Sequence, residues 1–293
     1  MITVGFPVFE REEASRKLLD SIPDYVEEVI IADNSKNQLS QNLSNNYPFN
    51  ITRLYLEYDI GIGKCRNSIA DNCETEYLFV CDNDMRIQDQ NDLIQLRKIL
   101  ENEPHLGAIA GILKESNTLR SGGTNLHTER LIGGKTILVR GNMTNDQAVI
   151  ESNDYCYIEF DFIPQSCLFR TKVFDTYNYD IRLNLHEHTD FFFSHKQLGK
   201  WKFAITPNVI INHDRGYYPE YREERSRRYQ SENGKQRKDI LKEKWDIDGI
   251  VTGNKVNWFT SNRSNKEKLF DVFREKTPGY IWIPAREILR QIT

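Results

Sequence analysis

No apolar run in this 293-residue chain approaches the length of a membrane span, which needs about 20 consecutive apolar residues. The first strand-like segment, Ile2 to Phe6, is not preceded by a charged stretch and an apolar one, so no secretory signal is expected and a cytoplasmic location is the expectation. On that expectation the sequons at Asn42, Asn50, Asn142 and Asn262 are accidental. The five cysteines (Cys65, Cys73, Cys81, Cys156 and Cys167) include no Cys-x-x-Cys pair. That argues against a zinc site and a disulfide frame, and suits a reducing compartment. A large excess of positive charge is also missing. The net charge of -4 argues against general nucleic-acid binding, and a basic cluster of Arg222, Arg225, Arg227, Arg228, Lys235, Arg237 and Lys238 reads as a solvated helix face.

What is present is a balanced globular composition, 39% hydrophobic and 28% charged, enough for one large core or two modest ones. Short apolar runs alternate with helix-period segments in the first half, as a parallel sheet with crossover helices requires. Strands are expected at residues 2 to 6, 28 to 32 and 52 to 57, before Asp82, and at 107 to 113; helices at 12 to 20, after Gly61 and Gly63, and through Leu93, Leu96, Ile99 and Leu100. Beyond about residue 120 the strands are shorter and aromatic-rich, with turn glycines at 122, 123, 133 and 134. Residues 220 to 245 are charged and helix-forming. Residues 255 to 293 mix aromatic and basic residues, and could pack on the domain, meet a partner or lie on a membrane surface.

The run Tyr77-Leu78-Phe79-Val80-Cys81-Asp82-Asn83-Asp84 is the most informative stretch. It carries a buried strand into two carboxylates at a sheet's carboxyl edge, where open α/β sheets hold ligands. Mg²⁺ is usually held by one or two carboxylates plus substrate phosphates, so a metal-bridged diphosphate is the natural expectation. The zinc alternative built on His186, His188 and His195 has poor spacing and no His-Glu-x-x-His pattern. The glycine turn at Gly61 and Gly63 has Arg66 where a dinucleotide fingerprint needs its third glycine.

In their order along residues 1 to 215, these motifs resemble the metal-dependent, inverting GT-A glycosyltransferases of family 2. The resemblance implies an α/β fold in which a Rossmann-like nucleotide-binding half with a mixed central sheet (1–115) is fused to an acceptor-binding and catalytic half (116–218), followed by a helical, aromatic and basic extension (219–293). Phe6-Pro7-Val8-Phe9-Glu10 is similar to the family's opening loop against the base, which assigns Pro7, Phe9 and Glu10 to the donor. Asp33 matches the family's base- or ribose-binding acid, although its side chain could instead cap the following turn. Asp59, Gly63 and Arg66 match the glycine-rich turn, where Arg66 can reach a base carbonyl or phosphate. Asp82 and Asn83 complete the donor set. Asp84 and His213, with Asp82, are the metal ligands the resemblance implies, for Mn²⁺ or Mg²⁺.

Tyr157 to Arg170 resembles the family segment that borders the acceptor, making Asp161 and Gln165 acceptor contacts; Asp161 could equally be structural, and Gln165-Ser166 replaces the usual glycines. Leu185 to Phe193 is similar to the family's Glu-Asp-x-Asp motif, with His188 in place of one aspartate, and to the His-x-acid-Phe-Phe run of the β-1,4-N-acetylgalactosaminyltransferases. The base is left among Asp190, Glu187 and His188, in that order, because a carboxylate stays ionised beside a metal. The expected activity moves a sugar, from a UDP-sugar by resemblance, to a glycan or glycolipid hydroxyl. A silent sugar-nucleotide-binding module and a nucleotidyltransferase are the alternatives.

Overall fold

The computed structural model describes residues 1–252 apart from 117, 142–147, 184–185, 215, 217 and 231, with backbone alone at 220, 225, 228–230, 232–236 and 252. The tail at 255–293, Leu185, the sequons at Asn142 and Asn262, and the side chains of Arg225, Arg228 and Lys235 lie outside the described residues.

In the first half β1 (Ile2–Val8), α1 (Glu12–Leu19), β2 (Glu28–Asp33), β3 (Asn50–Tyr55), α2 (Ile62–Asp71), β4 (Tyr77–Val80), β5 (Met85–Ile87), α3 (Asp92–Asn102) and β6 (Leu106–Glu115) follow one another. The order is the one the hydrophobic pattern predicts apart from the short β5, which it does not mark, and the third strand begins two residues earlier than expected. The second half contributes β7 (Thr118–Arg120), β8 (Asn125–Arg130), β9 (Thr136–Gly141), β10 (Ile150–Glu151), β11 (Cys156–Phe160) and β12 (Cys167–Arg170). These are followed by α4 (Lys172–Thr176), α5 (Glu187–Leu198), β13 (Lys202–His213), α6 (Pro219–Gln230), α7 (Glu232–Trp245) and β14 (Gly249–Thr252).

One large mixed sheet runs in the order β10-β11-β13-β6-β12-β4-β1-β2-β3. Strands β1 to β4 are mutually parallel where they pair, β12 is antiparallel to both β4 and β6, and β13 runs parallel to β6. Helices cover both faces, so the inner strands β1, β2 and β4 are largely apolar and alternate their side chains between two cores. Val29 and Ile31 of β2 join the layer with Leu18 of α1 and Leu96 of α3, while Ile30 and Ala32 face Ile69 of α2 and the layer of Phe191 and Phe192. Gly5 lets α2 approach β1: a Cβ there would stand 2.2 Å from Ile69 Cγ2.

The extended charged segment after β13 is not an appendage. Leu241 and Ile247 are buried, and the Trp245 ring meets Phe193 of α5 edge-on at 4.6 Å between centroids. β14 pairs parallel with β9, forming a small second sheet with β8. Among the described residues, no helix is long and apolar enough to cross a membrane.

Candidate active site

Strand β4 ends at Val80, and the three residues 82–84 turn the chain into β5 at the sheet's carboxyl edge. Their side chains part company. Asp82 accepts a hydrogen bond from Arg66 Nη2 at 2.8 Å, and Arg66 is wholly enclosed. Burial works against the Arg66 charge, but Asp82, Tyr179 and Glu187 outweigh it and raise its pKa. Asn83 turns inward, donating to the Arg11 carbonyl at 3.2 Å and to Ser15 Oγ at 2.9 Å, and so ties the loop to α1. Its amide is thereby engaged within the loop rather than presented at the sheet edge beside Asp82 and Asp84.

Asp84 is brought to His213 by register. In the antiparallel β5 and β13 pair His213 stands opposite Met85, and the Asp214 amide donates to the Asp84 carbonyl at 2.8 Å. His213 Nε2 lies 3.6 Å from Asp84 Oδ2, while Nδ1 lies 2.9 Å from Glu115 Oε1 at the end of β6. Arg11 also hydrogen-bonds Asp84 through Nη1, and its guanidinium is covered by the Tyr221 ring at 4.1 Å. Burial pushes the Asp84 carboxyl up, but His213 and Arg11 more than offset it, so Asp84 titrates below the usual carboxylate range. Asp84 Oδ1 is buried and has no hydrogen-bond partner among the described residues. Arg11 and Glu115 were not singled out by sequence. Glu115 ends a strand whose register was readable, so its place at the carboxyl edge was within reach.

Pro7 lies in β1 opposite Ala32, and Phe9 packs on Tyr58 at 5.8 Å and on Tyr221 at 6.4 Å. Glu10, at φ 50°, accepts the Lys36 amide at 2.9 Å. Asp59, at φ 54°, donates its backbone N–H to the Asn34 carbonyl at 3.1 Å, next to the end of β2. Asp33 accepts from the Ser35 and Ser40 amides at 3.0 and 2.6 Å and from Ser35 Oγ. It is the cap of its own turn, the reading that competed with the donor role in the sequence.

Asn67, beside Arg66 in the first half of α2, clamps residue 179: its amide donates to the Tyr179 carbonyl at 2.8 Å and accepts the Tyr179 N–H at 3.0 Å. The Tyr179 hydroxyl then donates to Gln165 Oε1 at 2.8 Å, and its ring stacks on Phe191 at 4.3 Å. Gln165 is thereby fixed in the same wall as Arg66.

The two carboxylates of α5 find different surroundings. Glu187 faces the start of α2, where a Cβ at Gly63 would meet its Cβ and Cγ at 3.5 Å. Asp190 is fully buried and accepts from the Tyr177 hydroxyl at 2.6 Å, Lys244 at 2.9 Å and Trp245 Nε1 at 2.8 Å. With both oxygens engaged by the Tyr177 loop and α7, Asp190 joins α5 to α7. His188 is held well below the ordinary histidine pKa, first by its enclosure and then by Arg66 and Arg140, and is neutral near pH 7. Asp161 is likewise occupied, by Lys196 Nζ at 2.6 Å and the Leu126 amide at 2.8 Å. These contacts tie α5 to β8 through Asp161, in line with the structural reading that stands beside the acceptor one. His195 stays in the core, with Nε2 3.2 Å from the Tyr177 carbonyl. Burial pushes the Cys81 and Cys167 thiols well up, leaving no activated thiolate there. Among the described residues no group of three or more His, Cys, Asp or Glu side chains is arranged to hold a metal ion.

The family model described as Glycosyl transferase family 2 matches residues 3–177. No curated protein sequence matches the chain. A solved structure of GalNAc-T7 with UDP, GalNAc and Mn²⁺ is similar at 14% identity and a TM-score of 0.53, over 73% of this chain and 43% of that one. Structures of S. aureus TarS are also similar: the 1–349 form at 18% identity and TM-score 0.45, over 74% of this chain and 59% of that chain, and a longer form at 17% and 0.49, over 83% and 42%. The chain thus spans well under two thirds of the length of these solved relatives. A mixed sheet with acidic residues at the carboxyl edge of β4, together with a match over most of that sheet, places the chain in glycosyl transferase family 2, on a GT-A fold.

Proposed function

We propose that this chain transfers a sugar from a nucleotide-sugar donor, a UDP-sugar by likeness to the ligand in the GalNAc-T7 structure, to a hydroxyl of a glycan or other acceptor, with inversion. The observation that carries the proposal is the row Glu115, His213, Asp84. A carboxylate that engages one imidazole nitrogen leaves the other as a ligand, the usual support of a metal-binding histidine. Asp84 Oδ1 is buried and unpartnered beside it. This pair suits Mn²⁺ or Mg²⁺, an ion that would leave room for the oxygens of a diphosphate. Asp84 and His213 would hold the ion, and Asp82 is left to Arg66. A cation bound there neutralises charge on the leaving diphosphate.

The chain's own residues supply the rest. Phe9 and Tyr58 offer a ring surface to the base. Arg66, fixed by Asp82, presents buried Nε and Nη1 atoms without partners among the described residues, suited to a polar group of the donor. Glu187 accepts the proton of the attacking acceptor hydroxyl as its oxygen bonds to the anomeric carbon and the electron pair of the old glycosyl bond leaves with the diphosphate. Gln165 lines the acceptor side.

The test is incubation of the purified chain with a panel of UDP-, GDP- and dTDP-sugars and candidate acceptors in Mn²⁺, following nucleotide release and the anomeric configuration of product by NMR. Inverted product from one donor, lost in Asp84→Asn, supports the proposal. Pyrophosphate release from a nucleoside triphosphate, or donor binding without turnover under any acceptor, would replace it.

A further inference from the structure

The Tyr179 ring is the hub of one wall of the site. It stacks on Phe191 at 4.3 Å, lies 6.3 Å from the His188 ring between centroids, and has Arg66 Cζ 5.7 Å from its centre. Its hydroxyl donates to Gln165 Oε1 at 2.8 Å, and Asn67 holds its backbone through both N–H and carbonyl. Glu187 shares Gly63 with it: a Cβ on that glycine would stand 3.4 Å from Tyr179 Cβ and 3.5 Å from Glu187 Cβ. Arg66, Gln165, His188 and Glu187 are thus gathered around one side chain.

Much of what this wall presents is unsatisfied nitrogen. Arg66 is fully buried and Gln165 is 6% exposed, yet Arg66 Nε and Nη1 and Gln165 Nε2 have no hydrogen-bond partner among the described residues. Buried polar atoms are normally satisfied, so orphans that border one ring point to a ligand that satisfies them. With Oε1 accepting from Tyr179, the Gln165 amide has both its N–H groups left to give. Gln165 stands where the family usually has glycine, so this donor is particular to the chain.

A set of donors selects an acceptor. A hydroxyl brings a proton that needs a partner of its own, whereas a carbonyl oxygen brings lone pairs alone. A carboxylate would add negative charge beside Glu187 and Asp82, against a guanidinium that Asp82 already engages. The neutral acceptor that fits is the carbonyl of an amide.

We infer that Gln165 Nε2, with Arg66 beside the same ring, receives the carbonyl oxygen of an acylamido substituent on a sugar at this wall, and so decides between amido sugars and their hydroxyl counterparts. This rests on the transferase reading above and narrows its substrate class. The substituent belongs to the sugar transferred or to the acceptor, and the experiment separates the two.

In the donor arm, calorimetric titration of the full chain in Mn²⁺ compares UDP-N-acetylglucosamine and UDP-N-acetylgalactosamine with UDP-glucose and UDP-galactose. In the acceptor arm, ligand-observed NMR in UDP and Mn²⁺ compares the four corresponding free sugars. Wild type, Gln165→Glu and Gln165→Ala are used in both arms; Gln165→Glu keeps an oxygen for the Tyr179 hydroxyl and so guards against loss of the fold. The expected result is that acylamido sugars bind wild type about tenfold more tightly than their counterparts in one arm. That advantage should disappear in both variants while Tm and UDP affinity persist, and the arm that shows it names the source. Equal affinities in both arms of wild type, or an advantage that survives both substitutions, overturn the proposal. Absence of UDP binding by wild type removes the transferase reading and this inference with it, whereas UDP binding without acylamido preference removes this inference alone.

Discussion

Arg11 donates to Asp84 across 73 residues of sequence, and the two side chains are only 9% and 12% exposed. The guanidinium therefore neutralises the carboxylate to which the proposed cation would bind. Arg11→Gln removes that charge and leaves Asp84 buried beside His213 alone. Breaking such a pair costs about 3 kcal/mol, and a cation that binds only the native state restores stability. Thermal denaturation should give a lower Tm for the variant and a larger Mn²⁺-dependent rise than in wild type. Equal rises would separate Arg11 from the cation position.

Glu187 and Asp190 should separate into different phenotypes. Glu187→Gln keeps shape but not proton affinity, so transfer should fall by about 10²- to 10⁴-fold while Tm and UDP binding persist. Asp190→Asn strips the charge that Lys244 and its neighbours were arranged around, at a cost of about 3 kcal/mol. Burial lowers the Lys244 pKa, but Asp190, Tyr177 and Asp180 more than reverse this and raise it. A stable Asp190→Asn protein with abolished transfer would restore Asp190 as the base.

Stability should rise with pH between about 4 and 6.5. Burial pushes His195 down to about 4 from an ordinary 6.5, although its contact with the Tyr177 carbonyl pulls the other way. Its Nδ1 has no partner to receive a second proton among the described residues. A lowered folded-state pKa means that the unfolded chain binds more protons throughout this window, so stability is complete above the unfolded value and is lost as pH falls towards 4. The contribution is at most about 3 kcal/mol. Urea melts across this range should be flatter for His195→Gln than for wild type.

Gly5→Ala should destabilise without touching the site. The new methyl would collide with Ile69 Cγ2, and overpacking of this kind costs about 1 to 3 kcal/mol. Combining it with Ile69→Ala should recover part of the loss, a coupling readable from a double-mutant cycle of denaturant midpoints.

The positions of the parallel strands follow from local sequence. Runs such as Val29-Ile30-Ile31-Ala32 are apolar on both faces because helices lie on both faces, and period-two alternation survives whatever the partners are. The acids at 82 and 84, and His213, were legible because each follows a strand and must emerge at its carboxyl edge. Periodicity also put Glu187 and Asp190 on one helix, but two carboxylates three residues apart can still reach different neighbours. Lys244 and Trp245, more than fifty residues downstream, fold onto Asp190 and occupy its oxygens. Glu187 instead packs against the start of α2 at Gly63. The inward turn of Asn83 and the Arg11 contact with Asp84 likewise depend on which distant chain segment arrives alongside. The sequence by itself determined the sheet, its edge and the chemistry placed there. Only tertiary packing decided which carboxylates stay available for that chemistry, because a side chain's hydrogen-bond partners are set by three-dimensional proximity and burial, on which local spacing is silent.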